Sequence, residues 1–177
     1  MKSPSMKKNI FNQSLNFFWT ILSFIPVILF WAKEGLNWYF YVSLAVSFVF
    51  GFLPEKIINS FRPSSSRKFY ERMGVKAVRK FVQNGDVANA VGKTSLINNI
   101  SQARQYLKTI AMYERFHWIC LCFFLLTAIL CFVRGEAGFG FLVLGANLLY
   151  NLTSISLQQY NKIRIKKIVS LEESKIP

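Results

Sequence analysis

The chain has 177 residues, 22 of them Lys or Arg, 8 Asp or Glu and one His, for a net charge of +14. Yet 53% of residues are apolar and only 17% charged, with 18 Phe, 7 Tyr and 4 Trp, which fits neither a disordered basic tail nor an ordinary soluble enzyme. Four stretches carry no Asp, Glu, Lys or Arg (9–32, 35–54, 116–133 and 137–161), each near the ~20 residues a helix needs to cross a bilayer, so an all-α integral membrane protein is expected, as one membrane domain over 1–177.

The first span is expected at 11–32. Its basic start at Lys2, Lys7 and Lys8 is like that of a signal peptide. However, the apolar stretch is too long and no small-x-small cleavage pattern follows it. The second span is expected at 36–53, the third at 117–133 and the fourth at 138–158. Short turns join the first to the second and the third to the fourth, so the four spans form two hairpins. Trp19, Trp31, Trp38 and Trp118 fall near span ends, where amphipathic rings prefer to sit. Both termini and the 54–116 segment together hold 20 Lys and Arg, and the two opposite turns hold 2. The positive-inside rule therefore places both termini and that segment in the cytoplasm, with the chain in the cell (inner) membrane.

Between spans two and three, Pro54, Pro63 and the serines at 64–66 break the chain. From 67 to 82 the pattern is helical. Phe69, Met73 and Val78 mix with Arg67, Lys68, Arg72, Lys76, Arg79 and Lys80, as in a basic amphipathic helix on a membrane surface. These cations serve either as an electrostatic anchor or as ligands for the phosphates of a substrate. Asn84, Gly85 and Asp86 read as a turn. From Ser95 a second amphipathic helix is expected to lead into span three, with Leu96, Ile100, Leu107, Ile110 and Ala111 set against Asn98, Asn99, Gln102, Arg104 and Lys108. Gly92, Lys93 and Thr94 end like a phosphate-binding loop. That loop needs a glycine where Val87 stands and a preceding strand, so nucleotide hydrolysis is set aside. Nucleic acid is not expected as a partner either, since the positive-inside bias accounts for the basic charge.

His117 stands at the start of span three, and Glu114 precedes it by three residues, on the same helix face. A carboxylate beside an imidazole raises its basicity and fixes its tautomer, which makes a general base with its orienter. The alternative is an interfacial histidine beside a solvated carboxylate. In span four, Asn147, Asn151, Ser154 and Gln158 fall within about 60° of one another at ~100° per residue, and Asn161 extends the stripe. A polar stripe in a span faces a wet cavity or glues helices together. Cys120, Cys122 and Cys131 lack disulfide or zinc spacing and are expected as packed thiols, with no metal.

Glu114, His117 and Trp118 form an E-x-x-H-W motif. Phe69, Tyr70, Glu71, Arg72, Met73 and Gly74 stand upstream. Asn151 and the run Gln158, Gln159, Tyr160, Asn161, Lys162, Ile163, Arg164 stand downstream. Over roughly 62–168 this order resembles the small membrane acyltransferases of the glycosyl-4,4'-diaponeurosporenoate acyltransferase family. Their pattern has F-Y-E-R-L-G, E-x-x-H-W, N-x-P and Q-R-Y-N-R-P-R. Here Gln159 replaces the family Arg, Ile163 a Pro and Thr153 another Pro. The resemblance implies an O-acyltransferase at the cytoplasmic interface. It would move a fatty acyl group from acyl-CoA or another activated donor to a hydroxyl of a lipid-linked or glycosylated acceptor, with no cofactor. His117 would be the base and Glu114 its orienter, with Asn151, Gln158 and Asn161 steadying the oxyanion or positioning the sugar and Tyr160 and Arg164 lining the mouth. Arg72, Lys76 and Arg79 would meet the donor's phosphates, and Glu71 would organise the surface helix. The alternative is a non-catalytic membrane subunit or lipid-binding scaffold. A transporter is disfavoured, because no span carries a charge. Membrane lipids and a lipid-like acceptor are the expected partners, with a homodimer or a partner membrane protein also open.

Overall fold

The computed structural model describes residues 4–82 and 99–174. The expected turn at Asn84, Gly85 and Asp86, the Gly92, Lys93, Thr94 triplet and the start of the second amphipathic helix at Ser95 lie outside the described residues.

The regular elements of the described residues are all helices, without strands. In chain order they form α1 (Pro4–Glu34), α2 (Trp38–Phe52), α3 (Glu55–Ser60), α4 (Arg67–Arg72), α5 (Val75–Lys80), α6 (Ile100–Val133) and α7 (Ala137–Ala146). A π-helical turn (Asn147–Leu152) and α8 (Thr153–Glu173) complete the series. Three segments have the length and apolar composition to cross a membrane: Met6–Glu34, Ile100–Val133 and Ala137–Glu173. The second expected span is a shorter apolar helix, Trp38–Phe52. Its 15 residues reach about 22 Å at 1.5 Å per residue, short of the ~30 Å hydrocarbon core. Local chemistry sets both its ends. Asn37 caps the start by accepting from the Tyr39 N–H at 3.0 Å, and Pro54 denies the helix a further donor. The stretch expected as one helix over 67–82 is two short helices, because Gly74 takes a left-handed φ of 82° between them.

Contacts group the described residues into two compact units. One comprises described residues of 1–18, 64–112 and 156–177, the other 19–63 and 113–155.

In the second of these, Val27, Phe30, Trp31, Phe124, Ala128, Cys131 and Val143 form the core. Its aromatic contacts are mostly edge-on, as ring quadrupoles prefer. Phe24 meets Phe124 at 4.9 Å and Trp31 meets Phe40 at 5.1 Å. Trp31 Nε1 donates to Thr127 Oγ1 at 3.1 Å, so the buried indole keeps a partner. Two ion pairs clasp the turn after α1 to the turn after α6. Lys33 pairs with Glu136, and Arg134 with Glu34 at 2.8 Å. Gly35 and Gly135, with φ of 83° and 75°, allow the two reversals. Near the end of α2, Arg115 donates to the Gly51 carbonyl at 2.8 Å, and Trp118 packs on Phe50 and Phe61.

In the first, Tyr70, Val75, Leu157 and Tyr160 make one apolar cluster, and Ala103, Ile110 and Ile165 another. Arg104 pairs with Glu173. Lys8, Asn12 and Lys162 are buried, which their place in a basic tail or stripe does not announce.

Candidate functional site

α6 carries Glu114 and His117 one turn apart, and both are buried. The His117 ring lies edge-on to Tyr150 and to Phe116, with centroids 5.1 and 5.2 Å away. Thr20 and Tyr150 join their hydroxyls at 3.1 Å and hold that neighbouring ring in place.

A chain of three hydrogen bonds runs to His117. Asn147 Nδ2 donates to the Leu121 carbonyl at 3.0 Å. Asn151 Nδ2 donates to Asn147 Oδ1 at 2.9 Å. Asn151 Oδ1 lies 3.1 Å from His117 Nδ1. A backbone carbonyl only accepts, so Asn147 must turn its NH2 toward Leu121 and its oxygen toward Asn151. Asn151 must in turn present its oxygen to the imidazole. The Nδ1 atom therefore carries the hydrogen and donates it, and the neutral ring keeps its lone pair on Nε2. That nitrogen is the one able to take a proton from a substrate.

Asn147 and Asn151 are the two asparagines of the π-helical turn. Such turns widen the backbone ladder by one residue and recur at functional sites. A count at 100° per residue made through this turn slips by one residue, which bears on the expected stripe. Its Asn147–Asn151 step is present as a direct contact. In the first unit the buried glutamine is Gln159, whereas Gln158 is half-buried.

The sequence pairs His117 with Glu114, but in the structure the side chain that holds Nδ1 is Asn151. Asn151, expected at the substrate, spends its oxygen on the imidazole and its NH2 on Asn147. Asn147 has a larger part than its place in the expected stripe suggests, since it anchors Asn151 to the backbone. It was visible as the first member of the polar stripe, but not as the group that reaches the Leu121 carbonyl. Trp118 Nε1 and Arg62 Nε, in the same unit, are buried donors without a hydrogen-bond partner among the described residues.

The other unit gathers a separate group around Tyr160. The Tyr160 hydroxyl donates to Glu71 Oε1 at 3.2 Å and accepts from Arg67 at 3.4 Å. Lys76 reaches Glu71 Oε2 at 3.0 Å, and Arg67 reaches Oε1 at 3.5 Å. The hydrogen bond from Lys76 is the main cause that holds the Glu71 carboxyl below its ordinary value. Burial opposes it, and the Lys76 charge, Tyr160 and Arg67 add to it. The Tyr70 hydroxyl donates to Gln159 Oε1 at 2.9 Å and lies 3.0 Å from the Ser64 carbonyl. Here the structure brings Glu71 and Tyr160 together. Asn161 and Arg164 are half-buried and Arg72 is exposed. Among the described residues no set of three His, Cys, Asp or Glu could hold a metal ion.

The sequence matches the model of the glycosyl-4,4'-diaponeurosporenoate acyltransferase family over residues 54–171, two thirds of the chain. The chain belongs to this family. Among curated proteins and among solved structures, none matches it. The family match makes the chain a member of an acyltransferase family. It takes in α3 through most of α8, with Glu71, Glu114, His117, Asn151 and Tyr160 inside it and α1 outside. Gln159, which stands where the family pattern carries Arg, is buried and accepts from Tyr70. A neutral amide fits that buried contact without the cost of desolvating a guanidinium.

Proposed function

We propose that this member of the acyltransferase family is a membrane O-acyltransferase whose general base is Nε2 of His117. The observation that carries the reading is the amide chain from the Leu121 carbonyl through Asn147 and Asn151, which leaves Nε2 as the free acceptor of the neutral imidazole.

The reaction is then simple to write. Nε2 takes the proton of an acceptor hydroxyl as that oxygen bonds to the carbonyl carbon of an acyl thioester such as acyl-CoA. The carbon–sulfur bond breaks, and the leaving thiolate takes the proton back from Nε2. Asn151 acts as a positioning residue, and Asn147 positions Asn151. Trp118 Nε1 and Arg62 Nε are the unspent donors of this unit that suit a developing oxyanion. Glu114 adds a buried carboxyl one turn away on the same helix. In the other unit Glu71 orders Arg67 and Lys76 around Tyr160. Gln158, Asn161, Arg164 and Arg72 are polar contacts for lipid or donor headgroups.

Membrane residence rests on the outward faces of the long helices. Phe17, Leu22, Ile28, Leu125, Ile129, Leu142 and Leu149 are all exposed on them. Such apolar faces are unfavourable in water and suit lipid. α2, although short, completes a fourth crossing in this reading, with both termini in the cytoplasm. The acceptor is a lipid-linked or glycosylated hydroxyl compound. Its tail stays in the bilayer while its polar end meets the base.

The test uses membranes that hold wild type or His117→Ala at matched levels, supplied with isotope-labelled acyl-CoA. Mass spectrometry of the lipid extract should show a labelled acyl ester with the wild type and none above background with the variant. Equal product from both would overturn His117 as the base.

A further inference from the structure

We infer that α4 and α5 form a docking face for an acidic bilayer surface, which pairs with anionic lipid headgroups while its apolar residues enter the interface. The proposal rests on the membrane residence argued above but not on the chemistry at His117.

The two helices have distinct inner and outer faces. Tyr70 and Val75 are buried, and Val78 and Val82 pack beside them against Leu157, Tyr160 and Ile163. Outward, Lys68, Arg72, Lys76 and Lys80 are exposed, and so are Phe69, Met73 and Phe81. Cations and large apolar side chains therefore share one exposed surface. Water alone does not favour that combination, and a headgroup layer over acyl chains does.

The charge balance is one-sided. Residues 67–82 hold six Lys or Arg and one acidic residue, Glu71. Glu71 is spent on Arg67, Lys76 and the Tyr160 hydroxyl. It thus fixes two cations at the root of the face and offers little to cancel Lys68, Arg72 and Lys80. The left-handed bend at Gly74 separates α4 from α5, so the cations extend over two short helices instead of winding around one. A zwitterionic surface offers the cations no net attraction. An acidic leaflet attracts each of them within about one Debye length, ~8 Å at physiological salt.

The full chain is placed in nanodiscs of phosphatidylcholine alone or of phosphatidylcholine with phosphatidylglycerol, and amide hydrogen exchange is read by mass spectrometry. Exchange in 67–81 should slow by about tenfold or more in the acidic discs. High salt should remove the difference, and so should the triple variant K68Q/R72Q/K80Q, which leaves the Glu71 contacts in place. Equal exchange in both discs would overturn the proposal. So would protection that the triple variant keeps, because that is apolar insertion without charge recognition. Exchange in α6 and α7 separates this failure from that of the membrane reading. Protected α6 and α7 with an unresponsive 67–81 would sink only the docking face.

Discussion

Asn151 accepts from Nδ1 of His117 and gives its own NH2 to Asn147. Two amides in series therefore translate the fixed direction of the Leu121 carbonyl into the protonation pattern of an imidazole. A carboxylate in its place would also accept from Nδ1. It could not donate to Asn147, however, and the chain back to Leu121 would break. The neutral amide sets the tautomer without bringing a charge into an apolar setting, where an unpaired charge is costly.

Asn151→Leu should lower the rate of acyl transfer without unfolding the protein. It leaves the Nδ1 donor without its acceptor, a loss of about 1–3 kcal/mol, which corresponds to roughly 5- to 150-fold in rate if it falls on the transition state. Asn147→Leu should act in the same direction but more weakly, since it frees Asn151 to rotate without removing it. Initial rates with labelled acyl-CoA, at matched protein levels, separate the two.

The Glu71 group carries a pH dependence with a definite sign. Its carboxyl is more acidic when folded than its ordinary value of 4.5, chiefly through Lys76. It therefore contributes its full stabilisation above that ordinary value and loses it as pH falls through the lowered folded value. Limited proteolysis around α4 and α5 should be flat at neutral pH and rise in an acid window that starts near 4.5 and extends below it. Glu71→Gln should be more easily cut at neutral pH and should lose that acid step. An unchanged step in the variant would assign the acid sensitivity to another group.

Thr127→Val tests the polar tie in the second unit. The Trp31 N–H keeps its place but loses its acceptor. In water this would cost about 1–3 kcal/mol, but interhelical hydrogen bonds in membranes average only about 0.6 kcal/mol, because the separated state also finds partners. The smaller figure should govern, with a modest fall in the melting temperature in detergent. Trp31→Phe should cost more, since it also thins the packing against Phe40 and Phe123.

Glu34→Arg should weaken the clasp between the two turns by less than about 1 kcal/mol, because its partner Arg134 is substantially exposed. The swap Glu34→Arg with Arg134→Glu should recover part of that loss. Recovery stays incomplete because Arg134 also lies 5.7 Å from the Tyr39 ring centroid, a contact the swap removes. Thermal unfolding of the single and double variants gives the coupling.

Much of the helical content was legible because charge-free stretches and short turns leave little choice. The stop after the second span is legible at Pro54, whereas hydropathy does not register the Asn37 cap that starts α2. The 67–82 helix was read as one piece because periodicity continues across Gly74, whose positive φ only the backbone reveals. At the site, His117 and Asn151 were legible as polar residues in apolar runs. The tight turn between spans three and four lets their polar faces meet, but the bond from Nδ1 to Asn151 is not legible, because it depends on a π-helical turn that the 3.6-residue period cannot anticipate. Glu114 looked like the orienter because local spacing is all a sequence offers. The actual partner lies 34 residues away. Tyr70 stands in the upstream motif without a role for the same reason, its partner Gln159 being 89 residues distant.

The most direct measurement exploits the single histidine of the chain. Protein labelled with nitrogen-15 histidine, purified without a histidine tag and placed in lipid discs, gives one imidazole to observe by nuclear magnetic resonance at neutral to mildly alkaline pH. The account predicts a protonated Nδ1 and an unprotonated Nε2, with that pattern lost in Asn151→Leu. An Nε2-protonated ring in the wild type would contradict it, because the nitrogen assigned to take the acceptor's proton would already hold one.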